Sequence, residues 1–465
     1  MNETHPCTVA IDHFKISHDN FGLYCLDEVV TVSARDASDL VIGNFTQTVV
    51  LNTGTGRGTW SLVSGAGTFS DATPDDGIAT YTYAASDAGT AQFALTYREG
   101  ATPINISATL QSNSAIVDDD TEGLLDWAAS GFIITGSPVS NPPPNPINQP
   151  INTQTAGTNF PIYLTAYGQT PTDPQCGVIE SYTGTHALNW WVDYQNPTAG
   201  TLVPTIDGSA IANSEAASTP QNVNFVNGQA QLLVKYKDVG QIQLNVKDIT
   251  TYAGVGHELR GASNPFVVRP ADLQVTVSGN PAAADENGPV FRRAGEPFTV
   301  TVTALDAEGS ITPSFGLENT PEVPRVRSSQ LVAPVGGRNG SVAGQLTNGT
   351  ALVRTGPGVF TATNVAFDEV GIIRLQADIQ DGDYLGTGNV LGTESGNVGR
   401  FIPHRFVVTD NTPTLRNAQS PWTCSFSYQD QVIGFASGQN PQLTITAVNA
   451  SGQPTLNYGG LFWKL

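Results

Sequence analysis

The sequence predicts an all-β protein made of serial β-sandwiches, and three observations carry that reading. One strand phrase recurs four times, a pair of alternating segments joined by an acidic-x-Gly turn recurs three times, and the composition suits turn-dense β structure rather than helix.

The central phrase is clearest at Ala294-Gly-Glu-Pro-Phe298-Thr-Val-Thr-Val-Thr-Ala-Leu-Asp306-Ala-Glu-Gly309. Phe298, Val300 and Val302 alternate with Thr299, Thr301 and Thr303, the period of a strand that buries one face, and Asp306 to Gly309 supplies turn chemistry. It returns at Leu443-Thr-Ile-Thr-Ala447-Val-Asn-Ala-Ser-Gly452, at Ala156-Gly-Thr-Asn-Phe160-Pro-Ile-Tyr-Leu-Thr-Ala166 and, more faintly, at Glu28-Val-Val-Thr-Val-Ser-Ala34. A lead-in strand precedes each copy, with first apolar positions Phe14, Phe132, Leu273 and Phe406, which lie 118, 141 and 133 residues apart. That is a domain-sized repeat, too long for a solenoid.

The second recurrent feature is a pair of segments around Asp87-Ala-Gly89, Asp238-Val-Gly240 and Glu369-Val-Gly371. Each pair reads as a closing hairpin, with Gly taking the positive φ of a tight reversal. A unit is then a lead-in strand, a central strand, variable middle strands and a hairpin, which is the strand economy of an immunoglobulin-like sandwich. The units are expected at residues 1–122, 123–264, 265–400 and 401–465. The last has no room for its hairpin, so an incomplete sandwich with open edges, cut short at the carboxyl end, is expected. Residues 137–150, rich in Pro and Asn, should make an extended excursion on the second unit. The short joints at 266–270 and 401–403 favour a rod.

Composition narrows the function. At 465 residues the chain suggests about three domains by size alone. Gly and Pro number 48 and 30, and charged residues are 13%, against roughly 25% in an average soluble domain. The formal net charge of −21 repels phosphate backbones and anionic lipid, so nucleic acid and direct membrane insertion are excluded as expectations. Met1-Asn-Glu-Thr-His-Pro6 has no leader character, and the longest apolar stretch, 123–135, is too short to span a bilayer. If the protein is exported, its leader lies upstream of this sequence.

Several phrases together resemble a known family: Cys7, His13-Phe-Lys-Ile-Ser-His18, Cys25, Gly58-Thr-Trp60, and Cys176-Gly-Val-Ile-Glu-Ser-Tyr182-Thr-Gly-Thr-His186-Ala-Leu-Asn-Trp190. They are similar to the MshQ-like proteins, large surface proteins linked to the mannose-sensitive haemagglutinin (MSHA) type IV pilus of Gram-negative bacteria. The resemblance implies an exported carboxyl-terminal region, extracellular or at the cell surface, with pilus or cell-surface proteins as partners. It carries over no catalytic residue.

Candidate chemistry is sparse. Cys7 and Cys25 flank a short strand-like stretch and are expected to form a disulfide in an oxidising compartment, with free thiols as the alternative; Cys176 and Cys424 have no assigned pairing. His5, His13 and His18 lie near the first two cysteines. His13 and His18 are five apart and so face opposite sides of a strand, which favours packing histidines over zinc ligands. Asp118, Asp119, Asp120, Asp381 and Asp383 carry the hard oxygens that Ca²⁺ prefers, although solvated turn carboxylates are the plainer reading and no cofactor is expected. Tyr182, Trp190, Trp191 and Tyr194 are candidate glycan contacts; alternation should send one of the two tryptophans to the core and the other outward. No nucleophile elbow, zinc-protease or phosphate-loop motif occurs. The leading expectation is a non-enzymatic structural or adhesion protein; the alternatives are a carbohydrate-binding module and a fragment of a glycan-active enzyme.

Overall fold

The computed structural model describes residues 10–98, 103–170, 173–250, 258–340, 342, 344–417, 429–430, 432–435 and 438–464. They form an all-β chain of tandem immunoglobulin-like sandwiches, and four strand pairs repeat a single antiparallel register. His13–Ser17 pairs with Glu28–Arg35 so that Phe14 stands opposite Ala34. Ser130–Thr135 pairs with Asn159–Thr170, setting Phe132 opposite Ala166. Leu273 stands opposite Ala304 in the third pair, and Phe406 opposite Ala447 in the fourth. Each repeat therefore sets a large lead-in side chain against a small one of the central strand, which leaves the large group room to enter the core. Phe14, Phe132 and Leu273 are buried, whereas Phe406 is 39% exposed.

In the first sandwich one sheet runs His13–Ser17, Glu28–Arg35, Thr90–Thr96, Thr59–Ser64 and the other Thr68–Ser70, Ile78–Thr82, Thr48–Asn52, Ser107–Leu110. Phe14, Val30, Trp60 and Phe93 from one sheet pack with Val49, Tyr81 and Ala108 from the other. The second sandwich sets Ser130–Thr135, Asn159–Thr170, Gln229–Lys235, Thr205–Ile206 and Ser209–Ala210 in one sheet. Its other sheet holds Gln154–Thr155, Phe266–Arg269, Gly240–Asp248, Gly184–Asn196 and Pro220–Phe225. The third has Asp272–Val277, Phe298–Leu305, Val359–Val365 and Val353–Gly356 in one sheet, and Arg292–Arg293, Val398–Ile402, Gly371–Ile379 and Pro324–Ala333 in the other. The fourth shows two strand pairs, Arg405–Asp410 with Leu443–Val448 and Leu415–Asn417 with Ile433–Phe435. Arg405–Asp410 is exposed along its length, and Val408, Leu443 and Ile445 stay open as well.

The closing hairpins expected from the acidic-x-Gly turns are not hairpins. Ile78–Thr82 and Thr90–Thr96 lie in opposite sheets, as do Gln229–Lys235 with Gly240–Asp248 and Val359–Val365 with Gly371–Ile379. The turn carries the chain across the core from one sheet to the other. Alternation fixes which face of a strand is buried but not which neighbour it pairs with, so both topologies share one sequence pattern. The Pro-rich stretch contains no strand; Gly136 N–H donates to Gln149 O at 2.9 Å, closing the excursion, and buried Val139 and Ile151 pin it.

Compactness divides the chain into two units, residues 1–270 with 306–320, and 271–305 with 321–465. Among the described residues no helix is long and apolar enough to cross a membrane.

Candidate functional site

The turn after the central strand has one geometry in three sandwiches. At Asp36, Asp306 and Asn449 the backbone N–H donates to the carbonyl four residues on, at 3.0, 2.8 and 2.9 Å. The side-chain oxygen of the same residue accepts the N–H of that fourth residue, at 3.0, 2.8 and 3.0 Å. A short side chain ending in a carbonyl oxygen is what this closure needs, which is why Asp or Asn stands there.

Two of these turns are clasped by the end of the preceding sandwich. Within the first unit, Ala307 N–H donates to Ala156 O at 2.8 Å; within the second, Ala450 N–H donates to Ala294 O at 2.9 Å. Both acceptors precede a glycine of positive φ, Gly157 at 79° and Gly295 at 82°. A Cβ on Gly157 would lie 2.9 Å from Ala307 N, and one on Gly295 2.9 Å from Ala450 Cβ, so neither the conformation nor the space admits a side chain.

The second arm of each clasp is the acid of the inter-sheet crossing. Buried Asp238 accepts the Ser314 N–H at 2.9 Å and the Ser314 hydroxyl at 2.7 Å. Glu369 accepts the N–H groups of Leu456 and Asn457 at 2.8 and 3.1 Å. Ser314 and Asn457 each stand eight positions after the first residue of their turn. Burial raises the Asp238 carboxyl pKa, and the two Ser314 bonds draw it back.

In the first sandwich a turn closed by the same hydrogen bond precedes the central strand, without the positive φ of the two glycine bends. Leu26 N–H donates to Leu23 O at 3.0 Å, as Thr158 does to Thr155 at 3.2 Å and Glu296 to Arg293 at 2.9 Å. Cys25 stands where Gly157 and Gly295 stand, nine residues before the alanine of its strand, and Gly438, with φ 76°, occupies that place in the fourth copy. Cys25 is bonded to Cys176, 151 residues away, with Cα atoms 5.3 Å apart. This corrects the expected Cys7–Cys25 pairing: the partner comes from the strand Asp173–Val178 of the second sandwich, so the bond stitches two sandwiches rather than clipping one. Cys7, Cys424 and His5 lie outside the described residues.

Beside this covalent joint is a cavity of about 190 Å³ lined in part by His18, Asp19, Glu28 and Gln149. Asp19 and Glu28 are bonded to each other, and burial pushes both carboxyl pKa values up, Glu28 well above its usual range. His18 Nδ1 accepts the Asn20 N–H at 3.1 Å, and burial lowers the imidazole pKa to about 4. His13 instead faces Asp12 at 3.1 Å and Asp39 at 3.4 Å, so the two histidines do not converge on a metal.

Of the acidic candidates, Asp118 and Asp120 come together with Glu122, each offering an oxygen within 4.8 Å of the others. Asp118 already accepts the Ala108 N–H at 2.8 Å and Asp120 the Asn105 amide at 2.8 Å, whereas burial pushes Glu122 up to about 7. Asp119 turns away to bond Thr121. Asp381 and Asp383 cap their own loop, accepting the N–H groups of Asp383 and Gly386 at 3.1 and 2.7 Å.

Three successive domain models of one family match the chain: "Domain of unknown function (DUF6701), first Ig-like domain" over residues 108–262, its second domain over 269–363 and its third over 369–465. The chain belongs to the DUF6701 family. No curated protein matches it. Among solved structures the DUF6701 chain is similar to the D0-D1 domain of Intimin, at 11% identity over 55% of this chain and 98% of that one, with a TM-score of 0.22. It is also similar to InvD of Yersinia pseudotuberculosis, at 14% identity over 84% and 99% of the two chains (TM-score 0.21), and to the adhesin InvE of the same organism, at 13% over 57% and 66% (TM-score 0.18). Scores this low leave the fold to be read from the sheets themselves.

The aromatic candidates of the DUF6701 chain do not form a surface platform. Tyr182 is fully buried, Trp190 is 1% and Trp191 9% exposed, so the outward position is covered as well as the inward one. Tyr182 stacks on His186 with ring centroids 3.7 Å apart and donates its hydroxyl to Asp248 at 2.6 Å, with His186 Nδ1 3.6 Å from the same carboxylate. The Cys176–Trp190 phrase thus builds a buried polar lock in the second sandwich. Tyr194, partly buried, donates its hydroxyl to Leu202 O at 2.7 Å.

Proposed function

We propose that this chain is a non-enzymatic serial scaffold at the surface of a Gram-negative cell, holding or displaying an adhesive surface on an MSHA-type pilus. The repeated clasp carries the reading. A bend and an acid from one sandwich grip the turn of the next, and Cys25–Cys176 makes a covalent joint of the same serial kind. Within each unit such a joint fixes a turn against the neighbouring sandwich, which suits a display protein. The disulfide supports an oxidising, extracytoplasmic location. Buried Trp190 and Trp191 remove the basis for sugar stacking at that place.

The reading is tested on intact producing cells. Antibody labelling is expected along pili or on the outer surface, with adhesion lost on gene deletion; protein confined to the cytoplasm would overturn it. Small-angle scattering of the chain should give an elongated particle, and a compact globule would remove the display geometry.

A further inference from the structure

Two of the three Asp/Asn turns are gripped, and the third is laid out identically but bare. Ser314 and Asn457, whose amides meet the clasp acids, are 0% and 5% exposed. Their counterpart Asn44 is exposed, whereas Ala37 is exposed just as its counterparts Ala307 and Ala450 are, so at that position the difference lies in the amide alone. Among the described residues, neither the Ala37 nor the Asn44 amide has a hydrogen-bond partner. The rest of the segment matches: Phe45 N–H donates to Ile42 O at 3.1 Å, as Phe315 does to Thr312 at 3.3 Å and Tyr458 to Thr455 at 3.5 Å.

We propose that Asp36–Phe45 is a docking surface for the clasp end of one further immunoglobulin-like sandwich. That partner presents a carbonyl ahead of a positive-φ glycine to the Ala37 amide and a carboxylate to the Asn44 amide. A second copy of this chain does not supply it: Ala156 with Asp238 and Ala294 with Glu369 are engaged in their own joints, Cys25 is bonded to Cys176, and no Asp or Glu follows the fourth bend, at Gly438, among the described residues to serve as the clasp acid. Lys15 and Arg35 stand beside the turn, bonding Asp39 Oδ2 at 3.0 Å and Asp39 O at 2.8 Å. They offset the local acidity that would otherwise repel a carboxylate on a chain of net charge −21.

The test places a photo-cross-linking residue at Asn44 of the natural full-length protein on its producing cells and sequences the linked peptide. The expected peptide comes from a sandwich outside residues 10–464, at its pre-strand glycine bend or at an acidic inter-sheet turn. A peptide from a second copy of residues 10–464, a protein lacking such a sandwich, or no cross-link would overturn the proposal. Ala37→Pro removes only an unpartnered amide hydrogen at an exposed turn position, so the chain should unfold at an unchanged temperature while the cross-link yield falls about fivefold, the loss of one hydrogen bond. An unchanged yield with Ala37→Pro would also overturn it.

Discussion

Removing the Cys25–Cys176 bond should lower the stability of the first unit more than any surface change in it. The closed loop spans 151 residues. In the chain-entropy treatment a loop of that length corresponds to about 5 kcal/mol at 25 °C, and measured disulfides typically contribute ~2–4 kcal/mol. The upper figure assumes that both sandwiches inside the loop unfold together; if they unfold separately, the bond restrains less chain and the effect moves to the lower range. For a unit of this size each kcal/mol shifts Tm by roughly 2–4 °C, so Cys25→Ser with Cys176→Ser should lower the first-unit transition by ~5–20 °C. Differential scanning calorimetry of the oxidised chain, the reduced chain and the double variant measures this, and reduction should reproduce the double variant. A shift below about 2 °C, or a peptide map joining Cys25 to another cysteine, would refute the reasoning.

Asp238→Ala leaves the buried Ser314 amide without its acceptor, the hydroxyl keeping Thr201 Oγ1 at 3.3 Å, at a cost of about 1–3 kcal/mol, and hydrogen exchange at the Ser314 amide should accelerate accordingly. Gly295→Ala adds a Cβ at φ 82° against Ala450 and should cost at least ~1 kcal/mol, with faster exchange at the Ala450 amide while strands remote from the clasp stay protected. His18 binds its proton at about 4 when folded and at 6.5 when unfolded, so the unfolded chain takes up protons first as pH falls. Stability from this group is therefore full above pH 6.5 and declines to pH 4 by about 3 kcal/mol; His18→Gln should flatten that slope in denaturant titrations. Trp190→Ala should destabilise the second sandwich by about 3–5 kcal/mol in thermal unfolding, the signature of a core residue.

The repeat was legible because strand burial has a period. Phe14, Phe132, Leu273 and Phe406 were readable as equivalent from alternation alone, and all four meet an alanine in the same register. Pairing partners were not legible, since Gln229–Lys235 and Gly240–Asp248 alternate just as a hairpin does while lying in different sheets. Cys25 was matched to its neighbour in sequence because nothing local marks a partner 151 residues away. A signal for it did exist: Cys25 replaces a glycine found at the same place in the other three copies, and a residue change at a position that otherwise admits no side chain marks a different kind of joint. Likewise Asp238 and Glu369 read as turn chemistry, and only the partner amides reveal their second role. The tryptophans misled because alternation predicts one exposed face, and here both sides are covered.

The clasp has a direction. Its bend and acid sit at one end of a sandwich and its turn at the other, so gripping and gripped surfaces are never interchangeable. A gene encoding such units can gain or lose an entire sandwich and leave every surviving junction intact, because each new neighbour meets the same grammar of Gly bend, acid and Asp/Asn turn. The first two sandwiches are the exception. Cys25 and Cys176 match only each other, so a recombination event that separated them would strand a thiol on each side, and this pair must be inherited as a block.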